Sequence, residues 1–150
     1  MKTTLFINCS PNHSGNTVSD ARQYLRSIEY DTLHLSDYHI DQYGVVGEQD
    51  QIGEVFSQIS QYDSLVIGTP VYWYTVSGIL KTFMDRWYLL PEAECLAGKN
   101  LYFFIQGAAP DEHCRATVTH LITRACSLTG MNLKGLAVGL DELLVLPRPE

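Results

Sequence analysis

The sequence is poor in the features that announce several whole classes of protein. Basic charge is scarce: Lys and Arg total 10 against 17 Asp and Glu, for a formal net charge of −7. Nucleic-acid binding normally calls for clustered Lys and Arg that replace counterions on phosphate, so no nucleic-acid partner is expected. Long apolar runs are missing as well. A membrane span needs about 20 consecutive apolar residues, and nothing approaches that, so no membrane partner is expected either. The opening residues Met1 to Phe6 read as a short strand without signal-peptide design, and these absences together predict a cytoplasmic protein. Paired cysteines are lacking. Cys9, Cys95, Cys114 and Cys126 form no C-x-x-C unit, which leaves a zinc ribbon or local iron–sulfur cluster unsupported and predicts no metal site. The four read as small buried thiols. Low-complexity tracts and internal repeats are absent too. With 150 residues and 45% hydrophobic composition, residues 1–150 are expected to form one domain with a full core.

What is present is an alternation of two periodicities. Thr3 to Asn8 is rich in β-formers and runs into the loop-forming cluster Cys9 to Thr17. Val18, Ala21, Leu25 and Ile28 then recur at helical spacing, predicting a helix from about Thr17. A weak second strand is expected over Tyr30 to Leu35, and Ile52, Val55, Phe56 and Ile59 mark a second helix. Ser64 to Gly68 and Leu101 to Ile105 are short, continuous apolar runs, the mark of strands buried on both faces. Between them Ile79, Leu80, Phe83, Met84 and Trp87 form a helical stripe. Asp111 to Thr129 reads as a helix that Gly130 stops, and Leu136 to Leu140 as a fifth strand. Strands alternating with helices imply parallel βαβ units in a doubly wound α/β sheet, expected in the order 2-1-3-4-5. Ligands of such sheets bind beyond the carboxyl ends of the strands.

Three signals fall at that edge. The loop Ser10 to Thr17 combines hydroxyls, amides and Gly15 ahead of a helix N-terminus, which carries about half a positive charge. This suits a phosphate cradle; an ordinary strand–helix connection capped by Thr17 is the alternative. Asn16 stands where a P-loop has Lys, so that motif fails. A small C-x5-R phosphatase is disfavoured, because Gly15 holds the place of the Arg that would stabilise thiolate and phosphoryl group. His13 could touch a phosphate or donate a proton, or simply face solvent. The second signal, Gly68-Thr-Pro-Val-Tyr-Trp-Tyr74, leaves a buried strand with three large aromatics in a loop. A flat heteroaromatic ligand would pack there; a local core or a protein interface would also explain it. The third, Gln106-Gly-Ala-Ala-Pro110, lets backbone approach a ring and offers it N–H donors.

Cys9-Ser-Pro-Asn-His-Ser-Gly-Asn-Thr17 resembles the G-S-P-R-x-x-G-N-T phosphate loop of the NADPH-dependent FMN reductase and iron–sulfur flavoprotein group. Thr69-Pro-Val-Tyr-Trp73, followed by Ser77-Gly-Ile-Leu-Lys-Thr-Phe-Met-Asp-Arg86, is similar to that group's T-P-V-Y-W…S-G…K-x-F-x-D-R segment. The resemblance covers nearly the whole chain and implies a flavodoxin-like fold, FMN as cofactor and NAD(P)H as electron donor. It places Ser10, Asn12, Ser14, Gly15, Asn16 and Thr17 around the FMN phosphate, with Asn12 where the family commonly has Arg. Pro70, Val71, Tyr72 and Trp73 would border the isoalloxazine and ribityl chain, and Gln106, Gly107 and Ala108 would face the pyrimidine side. Cys9 replaces the usual Gly and is expected to crowd the cradle slightly.

The chain departs from the group in two places. Asp37 to Gln51, where iron–sulfur members carry a cysteine cluster, holds no cysteine, leaving FMN as the expected redox centre. After the fifth strand only Asp141 to Glu150 remain, so the final helix is expected to be missing or truncated. Leu143 to Leu146 could then cover the sheet in cis or join a symmetric contact with a second subunit, and the family's habit of dimerising favours a homodimer that also walls the flavin through Tyr72 to Tyr74. The function implied is an FMN-dependent NAD(P)H oxidoreductase passing electrons to a small-molecule acceptor, with no catalytic side chain named because the flavin carries the chemistry. A flavodoxin-style electron carrier and a flavin-binding regulatory module are the rivals.

Overall fold

In the computed structural model, which describes residues 2–150, five strands form one sheet. They are β1 (Lys2–Asn8), β2 (Asp31–His34), β3 (Tyr62–Pro70), β4 (Asn100–Gln106) and β5 (Asn132–Val138), with helices α1 (Asn16–Tyr24), α2 (Ile52–Ile59), α3 (Gly78–Asp85), α4 (Glu112–Thr129) and α5 (Leu140–Val145). The order is β2-β1-β3-β4-β5 and every pairing is parallel. This is the doubly wound sheet that the alternating pattern predicts, in the flavodoxin-like order that the family resemblance implies.

Because side chains alternate across a strand, the sheet divides the core in two. Leu5, Ile7, Leu65, Ile67, Leu101, Phe103 and Ile105 face α2, α3 and α4, whose Phe56, Phe83 and Val118 complete the larger cluster. Phe6, Val66, Tyr102, Phe104 and Ala137 face the other way, against Ala21, Tyr24 and Leu25 of the α1 segment and Leu143 of α5. Gly68 is needed on that second face: a Cβ there would lie 2.3 Å from the Phe104 ring.

Several boundaries differ from expectation, each for a local reason. Helix α1 begins at Asn16 with Gly15 as its N-cap, so Thr17 is already inside the first turn. Helix α4 keeps its expected bounds: Asp111 caps it, accepting from the Cys114 N–H at 2.8 Å, and Gly130 ends it in the left-handed region at φ 79°. The α3 stripe stops before Trp87; the chain leaves the helix at Arg86, and Trp87 packs edge-on against Phe83. The fifth strand lies upstream of its expected place, at Asn132–Val138, because Gly139, at φ 85°, turns the chain directly into α5.

At the end of the chain the short final helix expected from the sequence is present, at 6 residues, and of the two roles open to Leu143 to Leu146 it takes the cover in cis. Leu143 is fully buried, and Leu146 packs so close to β5 that a Cβ on Gly135 would meet it at 2.9 Å. Tyr24 donates its hydroxyl to the Pro147 carbonyl at 2.6 Å. Arg115 on α4 holds Glu142 at 2.5 and 3.0 Å, and Glu142 also accepts from the Val138 N–H.

Candidate functional site

The carboxyl ends of β1, β3 and β4 deliver three loops to one cleft of about 410 Å³, lined by Ser10, Asn12, Asn16, Pro70, Val71, Tyr72, Gln106, Gly107 and Ala108. That volume lies in the range of small-molecule sites, about 300–1,000 Å³. Nine of the thirteen residues singled out from sequence therefore meet at one place. Of the other four, Ser14 and Gly15 lie on the adjoining turn, and Thr17 sits buried behind it. Thr17 Oγ1 accepts from Gln106 Nε2 at 3.3 Å, tying the first loop to the third. Trp73 does not line the cleft and is 93% exposed.

The first loop is shaped by short polar contacts. Ser10 Oγ accepts from the Asn12 N–H at 3.1 Å, and Asn8 Oδ1 accepts from the Ser10 N–H at 3.1 Å. Helix α1 opens with no side-chain cap. The N–H groups of a first helical turn have no intrahelical acceptor, so these donors are available to an anion at the Gly15–Thr17 end of the loop. No Lys or Arg lies between Lys2 and Arg22, so the donor set is neutral apart from the helix dipole.

Cys9 corrects an expectation: its side chain points into the larger core cluster, fully buried, and does not crowd the loop. Burial pushes its thiol well above the ordinary range, which makes it a packing residue and not a nucleophile. His13 is turned away from the loop's donors. It stacks on His34 with ring centroids 4.0 Å apart and pairs with Asp37 at 2.6 Å.

The second loop is anchored at both ends and strained at its tip. Ser77 caps α3 and donates its hydroxyl to the Cys9 carbonyl at 2.8 Å, while its own N–H bonds Thr69 Oγ1 at 3.0 Å. Val71 N–H donates to the Gln106 carbonyl at 2.8 Å. Tyr72 and Thr75 exchange both backbone bonds, at 3.0 and 3.2 Å, around a two-residue tip. That tip is Trp73 and Tyr74, at φ 49° and 64°, where glycine and asparagine are normally required. Tyr74 is exposed like its neighbour. Gly107 keeps the third loop close to the second: a Cβ there would lie 3.2 Å from Val71 Cβ.

A further support comes from a motif whose role the sequence left open. Arg86, at the end of α3, is buried with Asp50 in a two-pronged ion pair at 2.6 and 3.0 Å, and donates to the Asp41 carbonyl at 2.9 Å. It thereby pins the Asp41–Asp50 excursion to the end of α3. Asn8, Ser77 and Arg86 were not picked out from sequence as site supports. A polar residue closing an apolar strand was the available signal for Asn8.

A Bacillus subtilis (strain 168) protein named as an NAD(P)H-dependent FMN-containing oxidoreductase, YwqN, is 32% identical over 89 residues, covering 54% of this chain and 49% of that protein. An iron–sulfur flavoprotein of Archaeoglobus fulgidus is 35% identical over 66 residues, 39% of this chain and 33% of that one. The chain thus matches half or less of the length of these relatives. In fold, it superposes on the Trp repressor binding protein of Bacillus subtilis with a TM-score of 0.79 at 23% identity, over 97% of this chain and 99% of that one. The model of one family spans residues 1–142, and the chain belongs to that family, the NADPH-dependent FMN reductases.

Proposed function

We propose that this protein is an FMN-dependent NAD(P)H oxidoreductase that passes electrons from reduced nicotinamide to a small-molecule acceptor. The observation that carries the reading is the convergence of three loops on one cleft, in a chain of the FMN reductase family. The residues fit the cofactor. An uncapped helix start and neutral hydroxyl and amide donors suit a phosphate, and the cleft bordered by the adjoining segments Pro70–Tyr72 and Gln106–Ala108 suits a ring system. Ser10, Asn12, Ser14, Gly15, Asn16 and Thr17 would hold the phosphate end; Pro70, Val71, Tyr72, Gln106, Gly107 and Ala108 would border the ring. FMN, when bound, supplies the chemistry, taking hydride from the nicotinamide and giving electrons to the acceptor. The protein's own residues bind and orient. Gln106, held by Thr17, aligns the ring side with the phosphate side, and the Val71–Gln106 backbone bond joins the second and third loops into one border of the cleft.

A homodimer is part of this proposal. Its support is the exposure of the apolar side chains Tyr43, Val45, Val46, Tyr88 and Leu89, of which Tyr43 and Tyr88 meet edge to face with ring centroids 5.8 Å apart.

Anaerobic mixing of FMN-loaded protein with NADH and with NADPH tests the enzyme. Prompt bleaching of the flavin is expected with at least one donor; flavin that stays oxidised with both would assign the protein to electron carriage or regulation. Riboflavin should bind far more weakly than FMN, because each charge-assisted bond to phosphate is worth ~1.5–3 kcal/mol. Equal affinity for the two would remove the phosphate cradle.

A further inference from the structure

Beneath the first loop lies a polar junction whose logic depends on one proton. Asn8 and His34 end neighbouring strands and stand opposite each other in the β1–β2 register. The Asn8 side chain is fully buried and has three partners. Its Oδ1 accepts from the Ser10 N–H, and its Nδ2 donates to the Asn12 carbonyl at 3.0 Å and faces His34 Nδ1 at 3.0 Å.

Two of these partners are backbone groups with fixed roles, so the amide can point only one way. Ser10 N–H needs an oxygen and the Asn12 carbonyl needs an N–H. His34 Nδ1 must therefore be the acceptor for the second Nδ2 hydrogen, which makes the neutral, Nε2-protonated imidazole the form this junction accepts. A protonated His34 would set N–H against N–H. Rotating the amide by half a turn would satisfy His34 but would oppose Asn8 to both Ser10 and Asn12. No orientation serves all three partners once the proton is on.

We propose that His34 is a positioning residue for the phosphate loop, which it holds in its anion-binding shape through Asn8 only while its own ring is neutral. Protonation of His34 then releases Ser10 and Asn12 and weakens FMN binding. The application to FMN rests on the oxidoreductase reading above; the coupling of ring to loop does not. The groups facing His34 are His13 from the loop, stacked on its ring, and Asp37 from the turn after β2. Burial foremost, then His13, holds the His34 ring below its ordinary range, while Asp37 pulls the other way. The neutral ring's contribution is whole above the ordinary histidine value of about 6.5, and is lost as pH falls from there through the lowered value.

Two measurements test this. In the apo protein labelled with ¹⁵N, His34 should be the Nε2–H tautomer at pH 7.5. On acidification its ring and the Ser10 and Asn12 amides should shift with one common midpoint below about 6.5. For FMN, wild type should lose about tenfold in affinity between pH 7.5 and 5.5 relative to His34→Asn, a loss equivalent to one such bond. The Asn oxygen takes the place of Nδ1 as an acceptor that does not titrate, and the phosphate's own ionisation is common to both proteins. Loop amides that stay still while His34 titrates, an Nδ1–H tautomer, or equal pH slopes in wild type and His34→Asn would each overturn the proposal. If FMN fails to bind at every pH, the oxidoreductase reading falls and the apo titration still decides the His34 coupling.

Discussion

At the scale of single residues, the site relies on neutral donors, so its strength comes from geometry rather than charge. Thr17 has two tasks: its N–H lies in the uncapped first turn of α1, and its hydroxyl accepts from Gln106. Thr17→Val keeps the shape and removes the hydroxyl. It is expected to weaken FMN binding about tenfold, as is Asn16→Ala, at ~1.4 kcal/mol per decade. Flavin fluorescence quenching measures this, and undiminished affinity in both variants would take these residues out of the cradle. Salt should have a modest effect, since no Lys or Arg approaches in sequence; a steep loss with ionic strength would implicate a distant basic residue. The tip of the second loop carries a different kind of information. Trp73 and Tyr74 both occupy the left-handed region, at a cost of order 1–3 kcal/mol each. Tyr74→Gly should raise stability by about 1 kcal/mol, read by chemical denaturation. If the strained tip serves the reaction, the same change lowers kcat/KM. A variant neither more stable nor less active would deny the tip both strain and use.

At the scale of elements, the buried Arg86–Asp50 pair fastens a long excursion to the end of a helix. Removing one partner leaves the other charged and buried, which costs about 3–5 kcal/mol. Asp50→Ala is therefore expected to lower the unfolding midpoint sharply and to expose residues 41–50 to hydrogen exchange. The pair also predicts a pH dependence. The Arg86 guanidinium holds the Asp50 carboxyl below the usual carboxylate range. Its contribution is whole above the ordinary Asp value of about 3.9 and is lost as pH falls through the lowered one. Wild type should thus lose stability more steeply than Asp50→Asn between about pH 4 and 2. Parallel acid-denaturation curves would show that the pair is not a source of stability. The sequence made the elements themselves legible, because buried strands and amphipathic helices write their burial into hydrophobic periodicity. It did not make this fastening legible: Asp41, Asp50 and Arg86 lie in segments of different character, and only the fold brings them together.

At the scale of the whole molecule, the short helix α5 changes the case for a second subunit. Sequence suggested that an uncovered sheet face calls for a partner at Leu143 to Leu146. Leu143 is instead buried within its own chain, and only Leu144 and Val145 are turned outward. Leu143→Ala should cost about 2–5 kcal/mol whatever the oligomeric state, measurable by denaturation at several protein concentrations. The proposed homodimer now looks to the Tyr43–Leu89 side of the molecule. Light scattering of wild type should give a dimer at micromolar concentration, and Val45→Asp with Leu89→Asp should give a folded monomer. A monomeric wild type, or a double variant that remains dimeric, would discard that surface. Among the described residues no helix is long and apolar enough to cross a membrane.

What the sequence determined by itself was the sheet, its order, and the three loops at its carboxyl edge. Those features are local: apolar runs, helical stripes and turn residues each act on their own neighbourhood, and parallel crossovers have one favoured hand. The tertiary structure alone decided which way side chains in those loops turn. Cys9 went into the core, His13 onto His34, Trp73 out to solvent, and Asn8 under the loop it supports. Each direction is set by contacts between segments far apart in the chain, such as Ser77 on the Cys9 carbonyl, Asp37 on His13 and His34 on Asn8.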